Sequence, residues 1–457
     1  MRDRPRRPNV VFMIADDHRY DAIGACGDPV VQTPVLDQLV ERGVSFDRTY
    51  ILGGQTPAVC APARASLLTG TNPLLAAATP DVVPPRGVLP IRPELPLLPQ
   101  VLRQAGYTTF HVGKWHNDPA SLARAFGGGG RVFLGGMSDH RRVPVYDFDP
   151  TGAYPEQARF IAEGFSTEIF CDAAIRFLRT HAGESPFFLY LAFTAPHDPR
   201  TPPPAYAALY DPDRIPLPAN VLPTHPFDNG ELRVRDEQLA PFPRTPEVIR
   251  QHIADYYGMS SHLDAEIGRV LDVLTETGQA DNTIVVYTAD HGLAVGQHGL
   301  MGKQNLYEHS VRVPAIVRGP GLPVGRRVPA LAHTYDLYPT ICELAGVPVP
   351  ETVESRSLLP LLSGTSAHHR DSVHAMYKDV QRMASDGHWK LIAYSRSTKQ
   401  AVGTDRVQLF DVQADPLETN DRSGDPACQA NLERLRADLR AWQQAIGDPL
   451  LLQRAAP

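Results

Sequence analysis

The stretch "NVVFMIADD", Asn9 to Asp17, decides the fold. An uninterrupted apolar run of this length has no solvent-facing side, so it reads as a strand buried on both faces of a parallel sheet. It ends directly on two carboxylates. Two other runs have the same form: "NTIVVYTADHG" (282–292), closing on Asp290 and His291, and "PFFLYLAFTAPHDP" (186–199), with His197 just beyond its apolar part. In an open α/β sheet, ligands collect at the carboxyl ends of the strands, so three strands delivering polar groups there argue for one shared site.

Outward from these strands the pattern becomes helical. Over residues 252–278, Ile253, Tyr256, Leu263, Ile267, Val270, Leu271 and Leu274 recur at spacings of three, four and seven, which predicts a long helix stopping near Gly278. A glycine-rich segment (Gly127 to Gly130, then Gly135 and Gly136) and a proline-rich stretch over 196–246 lack periodicity and are expected to be binding loops. After "SLLPLLSG" (357–364) the chain changes to short alternating segments, "HWKLIAYS" and "VQLFDV", followed by an amphipathic helix from near Cys428. The expected fold is α/β: a large, central, mostly parallel sheet sandwiched by helices over residues 1–365, with a smaller C-terminal α+β subdomain over 366–457. No internal repeat is visible.

The 457 residues, 42% hydrophobic and 21% charged, are ordinary for a soluble globular protein and too many for one compact core. The net charge of -7 gives no overall basic surface for nucleic acid. No run approaches the roughly 20 apolar residues of a membrane helix, and the basic N-terminus has no separate apolar signal core. As written the chain is expected in the cytoplasm, or in the periplasm if a leader has been replaced by Met1. The five cysteines, Cys26, Cys60, Cys171, Cys342 and Cys428, are odd in number and widely spaced, which argues against a disulfide framework. Cys26, Cys171 and Cys342 read as packing residues.

Asp16 and Asp17 repel one another, and Asp290 with His291 brings more charge to the same sheet edge; a hard divalent cation is the usual remedy. Three carboxylates favour Ca²⁺ or Mg²⁺, and the imidazole keeps Mn²⁺ as an alternative, with Ca²⁺ the first expectation. The segment "TPAVCAPARASLLTG" (56–70) places Cys60 in a proline-bounded turn before a helix expected to start near Pro62, with Arg64 one turn in. Backbone N–H groups and the guanidinium would make an anion site around the sulfur. A lone cysteine is ordinarily an inert buried residue; the neighbouring residues set this one apart.

"CAPARASLLTG" resembles the sulfatase signature, Cys-x-Pro-x-Arg followed by a small residue and a Leu-Leu-Thr-Gly-like tail. The resemblance continues in family order through "NVVFMIADDHRYDAIG", "TPVLDQLVERGVSFDRTY", "AGYTTFHVGKWH", Phe188 to Pro199, "DNTIVVYTADHGLAVGQHGLMGKQNLYEHSVRVPAIVRGPG" and "LFDVQADPLETND", covering most of the chain. It implies an alkaline-phosphatase-like fold. It also implies that a formylglycine-generating enzyme oxidises Cys60 to formylglycine, whose hydrate attacks sulfur through one hydroxyl and expels sulfate when the other loses its proton. Asp16, Asp17, Asp290 and His291, with the modified Cys60, would hold the metal. Arg64, Lys114, His116, His197 and Lys303 would surround the sulfate and the diol, with His116 as the base. Lys303 or His197 would protonate the leaving oxygen, or Lys303 would act only as an electrostatic clamp. Many members have asparagine at the position of His291, which leaves its role and the metal preference open.

His18, Arg19 and His298 lie beside these motifs as candidate substrate contacts; Asp264 and Asp336 read as structural. "DHGLAVGQHGLMGKQNLYEHS" resembles the carbohydrate-acting branches, so the expected substrate is a sulfated carbohydrate, with small alkyl or aryl sulfates next. Two rival readings stand beside it. Phosphonate monoester hydrolases and phosphodiesterases share the cysteine signature, although "VGKWH", with Lys114 and His116, resembles the sulfatase arrangement. A non-catalytic pseudo-sulfatase would keep the fold and bind sulfated ligands without turnover.

Overall fold

The computed structural model describes residues 6–78, 88–181, 183, 185–397 and 399–454, so the first five residues of the basic N-terminal stretch lie outside the described residues. Strand β1 (Asn9–Asp16) is buried along its whole length after Asn9. Its side chains alternate as a pleated strand requires: Val11 and Met13 join one hydrophobic cluster, Val10, Phe12 and Ile14 the other. Both faces are therefore covered, which is why the run shows no polar alternation.

The central sheet contains β1, β2 (Val44–Tyr50), β3 (Thr108–Lys114), β4 (Gly128–Phe133), β5 (Phe187–Pro196), β6 (Thr283–Ala289), β7 (Arg312–Arg318) and β8 (Arg326–His333). Their order is β8-β2-β7-β6-β1-β5-β3-β4. β1 lies between β5 and β6, parallel to both. Only β7 runs against its neighbours. The sheet is mostly parallel, as expected.

On one face pack α3 (Ser166–Thr180) and α4 (Pro246–Glu276); on the other lies α2 (Cys60–Thr69), with α1 (Pro34–Arg42) beside α4. α4 begins upstream of the expected start, because Thr245 caps it, accepting from Val248 N at 3.4 Å, and Pro246 fits the first turn. It stops just before Gly278, whose φ is +68°. Leu271, assigned to the apolar face, is only partly buried. Asp264 accepts from Val35 N at 3.0 Å and Leu36 N at 2.7 Å, so it caps α1 from the side.

The second sheet is antiparallel: β9 (Val373–Tyr377), β10 (Gln381–Ser385), β11 (Trp389–Tyr394) and β12 (Arg406–Asp411). α5 (Gln429–Ile446) covers it with Leu432, Leu435 and Leu439. This sheet also takes a strand from far upstream, since Gly53–Gly54 pairs in parallel with Met376 and Tyr377. A Cβ on Gly53 would sit 2.0 Å from Met376 O, so only glycine permits the pairing. The segment leading to Cys60 is thereby tied to the C-terminal part of the chain. No helix among the described residues is long and apolar enough to cross a membrane.

Candidate active site

Four neighbouring strands, β6, β1, β5 and β3, deliver their terminal residues to one edge of the sheet. β1 ends on Asp16, and Asp17 follows with φ +68°, a left-handed turn that carries both carboxylates to the same side. Tyr256 fixes this turn by donating to Asp17 O at 2.8 Å and accepting from Arg19 N at 3.0 Å. β6 supplies Asp290 and His291, β5 supplies His197, and β3 supplies Lys114, with His116 beyond it.

Cys60 is the first residue of α2, so the helix starts earlier than the expected position near Pro62. Proline is tolerated within a first turn because the N–H it lacks has no intrahelical acceptor there. The sulfur thus sits at the positive end of a fully buried helix. Cys60 Sγ is 3.0 Å from His291 Nε2 and 3.5 Å from Lys303 Nζ. Burial alone would push the thiol up, but Lys114, Lys303 and His291 bring it down to about 5.

Asp16, Asp17, Cys60, Asp290 and His291 each offer a donor atom, all within 4.8 Å of one another, and all five residues are buried. Burial, with Asp290 and Cys60 nearby, pushes the Asp16 carboxyl up to about 7, and its Oδ1 accepts no hydrogen bond from the protein, with His291 Nε2 3.9 Å away. A buried carboxylate oxygen without a hydrogen bond, among three acids, fits a cation site, and an oxygen-rich donor set with one imidazole suits a divalent metal. The predicted ligands therefore fit the group that the resemblance implies.

The other candidates divide into two layers. Cys60, His116, His197 and Lys303 line a cavity of 530 Å³. Lys303 Nζ donates to Asp17 Oδ1 at 2.9 Å, and His197 Nε2 is 3.8 Å from Asp17 Oδ2. Burial opposes protonation of His197, but Asp17 outweighs it and raises the imidazole; burial and Lys114 hold His116 far below its ordinary value, so it is neutral. Arg64 and Lys114 lie behind this wall. Arg64 Nε donates to Asp290 Oδ2 at 2.8 Å and Nη1 to Lys114 O at 3.1 Å, while Lys114 Nζ pairs with Asp16. Both cations neutralise carboxylates from beneath and do not border the cavity.

His18, Arg19 and His298 are absent from the cavity wall. His18 bonds to Tyr287 and Ala22 O, Arg19 pairs with Asp21, and His298 stacks on Tyr307 with centroids 3.9 Å apart. The glycine-rich segment contributes through Gly135, Gly136 and Met137, whereas Gly128 to Gly130 belong to β4. A Cβ on Gly136 would lie 2.7 Å from His116 Nε2, so glycine there leaves room for the imidazole. The proline-rich stretch contributes Val234, Arg235 and Asp236. Sequence reading missed these because no motif or periodicity marks them, and it gave no role to Asp198 and Gln304, which lie within motif stretches beside His197 and Lys303.

A mostly parallel sheet with acids, imidazoles and a helix-borne cysteine together at its strand ends matches the alkaline-phosphatase-like fold that the sequence resemblance implies. The chain belongs to the sulfatase family: the Sulfatase family model matches residues 8–347, and the model "N-sulphoglucosamine sulphohydrolase, C-terminal" matches 296–445. Members of this family are sulfuric ester hydrolases. The N-acetylglucosamine-6-O-sulfatase of Bacteroides thetaiotaomicron is 27% identical, over 93% of this chain and 84% of that protein. A protein solved in complex with its substrate D-glucosamine-2-N,6-O-disulfate has the same fold, with a TM-score of 0.80 at 24% identity over 97% of this chain and 99% of that one. The phosphonate monoester hydrolase of Silicibacter pomeroyi superimposes with a TM-score of 0.73 at 26% identity, over 96% and 95% of the two chains.

Proposed function

We propose that the protein hydrolyses a sulfate monoester of a small saccharide, releasing the alcohol and inorganic sulfate, with a nucleophile made from Cys60. The observation that carries this reading is the convergence of Cys60 Sγ, His291, Lys303 and three carboxylates at the inner end of one cavity. Sγ stands where the formylglycine oxygens of a matured enzyme would be. Asp16, Asp17, Asp290 and His291 would hold the metal, and the oxygen-rich set favours Ca²⁺. Formylglycine would supply a hydrated aldehyde with one hydroxyl to attack sulfur and one to release it, and the cation would supply charge that favours the deprotonated hydroxyl.

The chain's own residues do the rest. Lys303, between Cys60 and Asp17, holds a positive charge next to the nucleophile and offsets charge gathering on the sulfate oxygens. His197, raised by Asp17, is a proton donor for the departing alcohol, and neutral His116 is an acceptor for the diol. From behind, Arg64 helps hold Asp290 ionised, and Lys114 pairs with Asp16 and opposes the rise that burial gives its carboxyl. Phe133, Leu134, Met137 and Tyr146 give the outer cavity an apolar face suited to the C–H side of a sugar ring. The sulfated amino sugars named for two relatives support the saccharide class.

The phosphonate reading is kept as the second one because the Silicibacter enzyme shares the fold at higher identity than the disulfate-bound relative. A panel of sulfated mono- and disaccharides, choline sulfate, an aryl sulfate and a phosphonate monoester separates them. After co-expression with a formylglycine-generating enzyme, kcat/KM should be highest on a sulfated sugar. A higher value on the phosphonate monoester would transfer the protein to the rival class.

A further inference from the structure

His197 and Lys303 reach the cavity from separate loops, one directly after β5 and one after β6, and both face the Asp17 carboxylate. A single turn of 3-10 helix, Arg235–Leu239, touches both loops through consecutive side chains. Arg235 is bidentate to Asp198, with Nη2 to Oδ1 at 3.0 Å, and also donates to its neighbour Asp236 at 2.6 Å. Asp198 in turn accepts from His197 Nδ1 through its backbone carbonyl at 2.7 Å and lies 3.3 Å away through its carboxylate. That bond leaves Nε2 as the nitrogen free to face Asp17 and the substrate.

The other two residues grip the second loop. Glu237 accepts from Met301 N at 2.9 Å and Gly302 N at 3.0 Å, and is itself held by Arg244 at 2.8 Å. Asp236 accepts from Gln304 Nε2 at 2.8 Å, and Gln304 Oε1 accepts from Lys303 N at 3.1 Å. Gly302 is packed so closely that a Cβ would stand 2.4 Å from Gln304 Oε1 and 2.9 Å from Asp236 Cβ. The backbone before Lys303 is thus bonded directly to this turn, and Lys303 N is bonded to it through the Gln304 side chain. Asp236 and Glu237 are buried, and Arg235 borders the cavity.

We infer that Arg235, Asp236 and Glu237 form a positioning clasp that sets His197 and Lys303 against each other over the leaving-group oxygen. The inference rests on the sulfate-ester reading above. Bidentate and backbone-directed bonds fix direction as well as distance, and proton delivery to a departing alkoxide depends steeply on both. An ester whose alcohol leaves without proton assistance needs neither. The clasp should therefore matter in proportion to the basicity of the leaving group.

The test uses the formylglycine-bearing, metal-loaded enzyme and sulfate esters running from 4-nitrophenyl through phenyl to alkyl. Arg235→Met and Glu237→Gln are each expected to lose about 10- to 100-fold in kcat on the alkyl ester and less than about threefold on the nitrophenyl ester, with KM moving less than kcat. Arg235→Lys, whose ammonium keeps the charge but cannot make the two parallel bonds of a guanidinium to Asp198, should recover only part of the loss. In a His197→Ala background, Arg235→Met should add far less to the leaving-group dependence than it does in the wild type, because its two bonds to Asp198 act through that imidazole. If Glu237→Gln fails to fold, Arg235→Met, at a half-exposed position, decides the matter. Equal losses across the series, or unchanged kinetics, would overturn the clasp alone. A wild-type enzyme that turns over no sulfate ester would remove the underlying reading and the clasp with it.

Discussion

His197 and Lys303 share one carboxylate, Asp17, yet their surroundings differ: the imidazole is held through Asp198, the ammonium lies beside the sulfur. Both border the cavity in which the proposed ester would sit. A sugar alkoxide is a poor leaving group and an activated phenolate a good one, so proton assistance is needed by the first and largely wasted on the second. His197→Ala and Lys303→Ala should each slow a sulfated sugar by about 10²-fold or more and an activated aryl sulfate by less than about tenfold, read as kcat on the matured enzyme. Equal losses would remove them from leaving-group duty. The residues that end strands were legible in the sequence, because an acid or imidazole directly after a buried apolar run has few structural uses. Asp198, Arg235 and Glu237 were not, since their partners lie far along the chain and no spacing rule connects them.

At the scale of elements, the strand reading of "NVVFMIADD" succeeded because burial on both faces is written into composition. The start of α2 was misplaced for a local reason, as Pro62 looked like a first helical residue when it is a tolerated later one. The pairing of Gly53–Gly54 with β9 could not be read at all, since two residues carry no periodicity. Asp336 illustrates how a polar residue serves an element. Its buried carboxylate accepts from His333 N at 2.9 Å and Arg356 N at 3.0 Å at the start of a helix, and binds His369 and Arg370. Burial alone would raise its pKa, but His369 and Arg370 hold it well below the usual carboxylate range. A depressed carboxylate contributes stability that is fully present above its unfolded value and lost as pH falls toward its folded one. Asp336→Asn should therefore cost about 3–5 kcal/mol at pH 7, measured by urea unfolding, and the gap from wild type should narrow on acidification. A gap that stays constant with pH would show that Asp336 acts by its shape alone.

For the whole molecule, the strongest tension is at the sheet edge, where Asp16, Asp17 and Asp290 sit without solvent. Lys114, Lys303 and Arg64 relieve part of it, and Asp16 Oδ1, which accepts no hydrogen bond, marks the rest. A cation that binds only the folded state stabilises it by mass action. Chelation should lower Tm by several degrees and abolish turnover, and Ca²⁺ should restore both; a Tm indifferent to chelator and metal would count against the site. The same edge brings together strands and helices spread over most of the chain, which is why six motifs in order indicated one function while none of the loops revealed the alcohol half of the substrate.

The central claim is that Cys60 is converted into the nucleophile of a sulfate-ester hydrolase. It is tested most directly by mass spectrometry of the peptide carrying Cys60, taken from the same preparation in which sulfate release is assayed. The account predicts that active protein carries formylglycine there, the sulfur replaced by oxygen with loss of two hydrogens, and that Cys60→Ala, though folded, releases no sulfate. Fully active protein with an intact Cys60 thiol would contradict it.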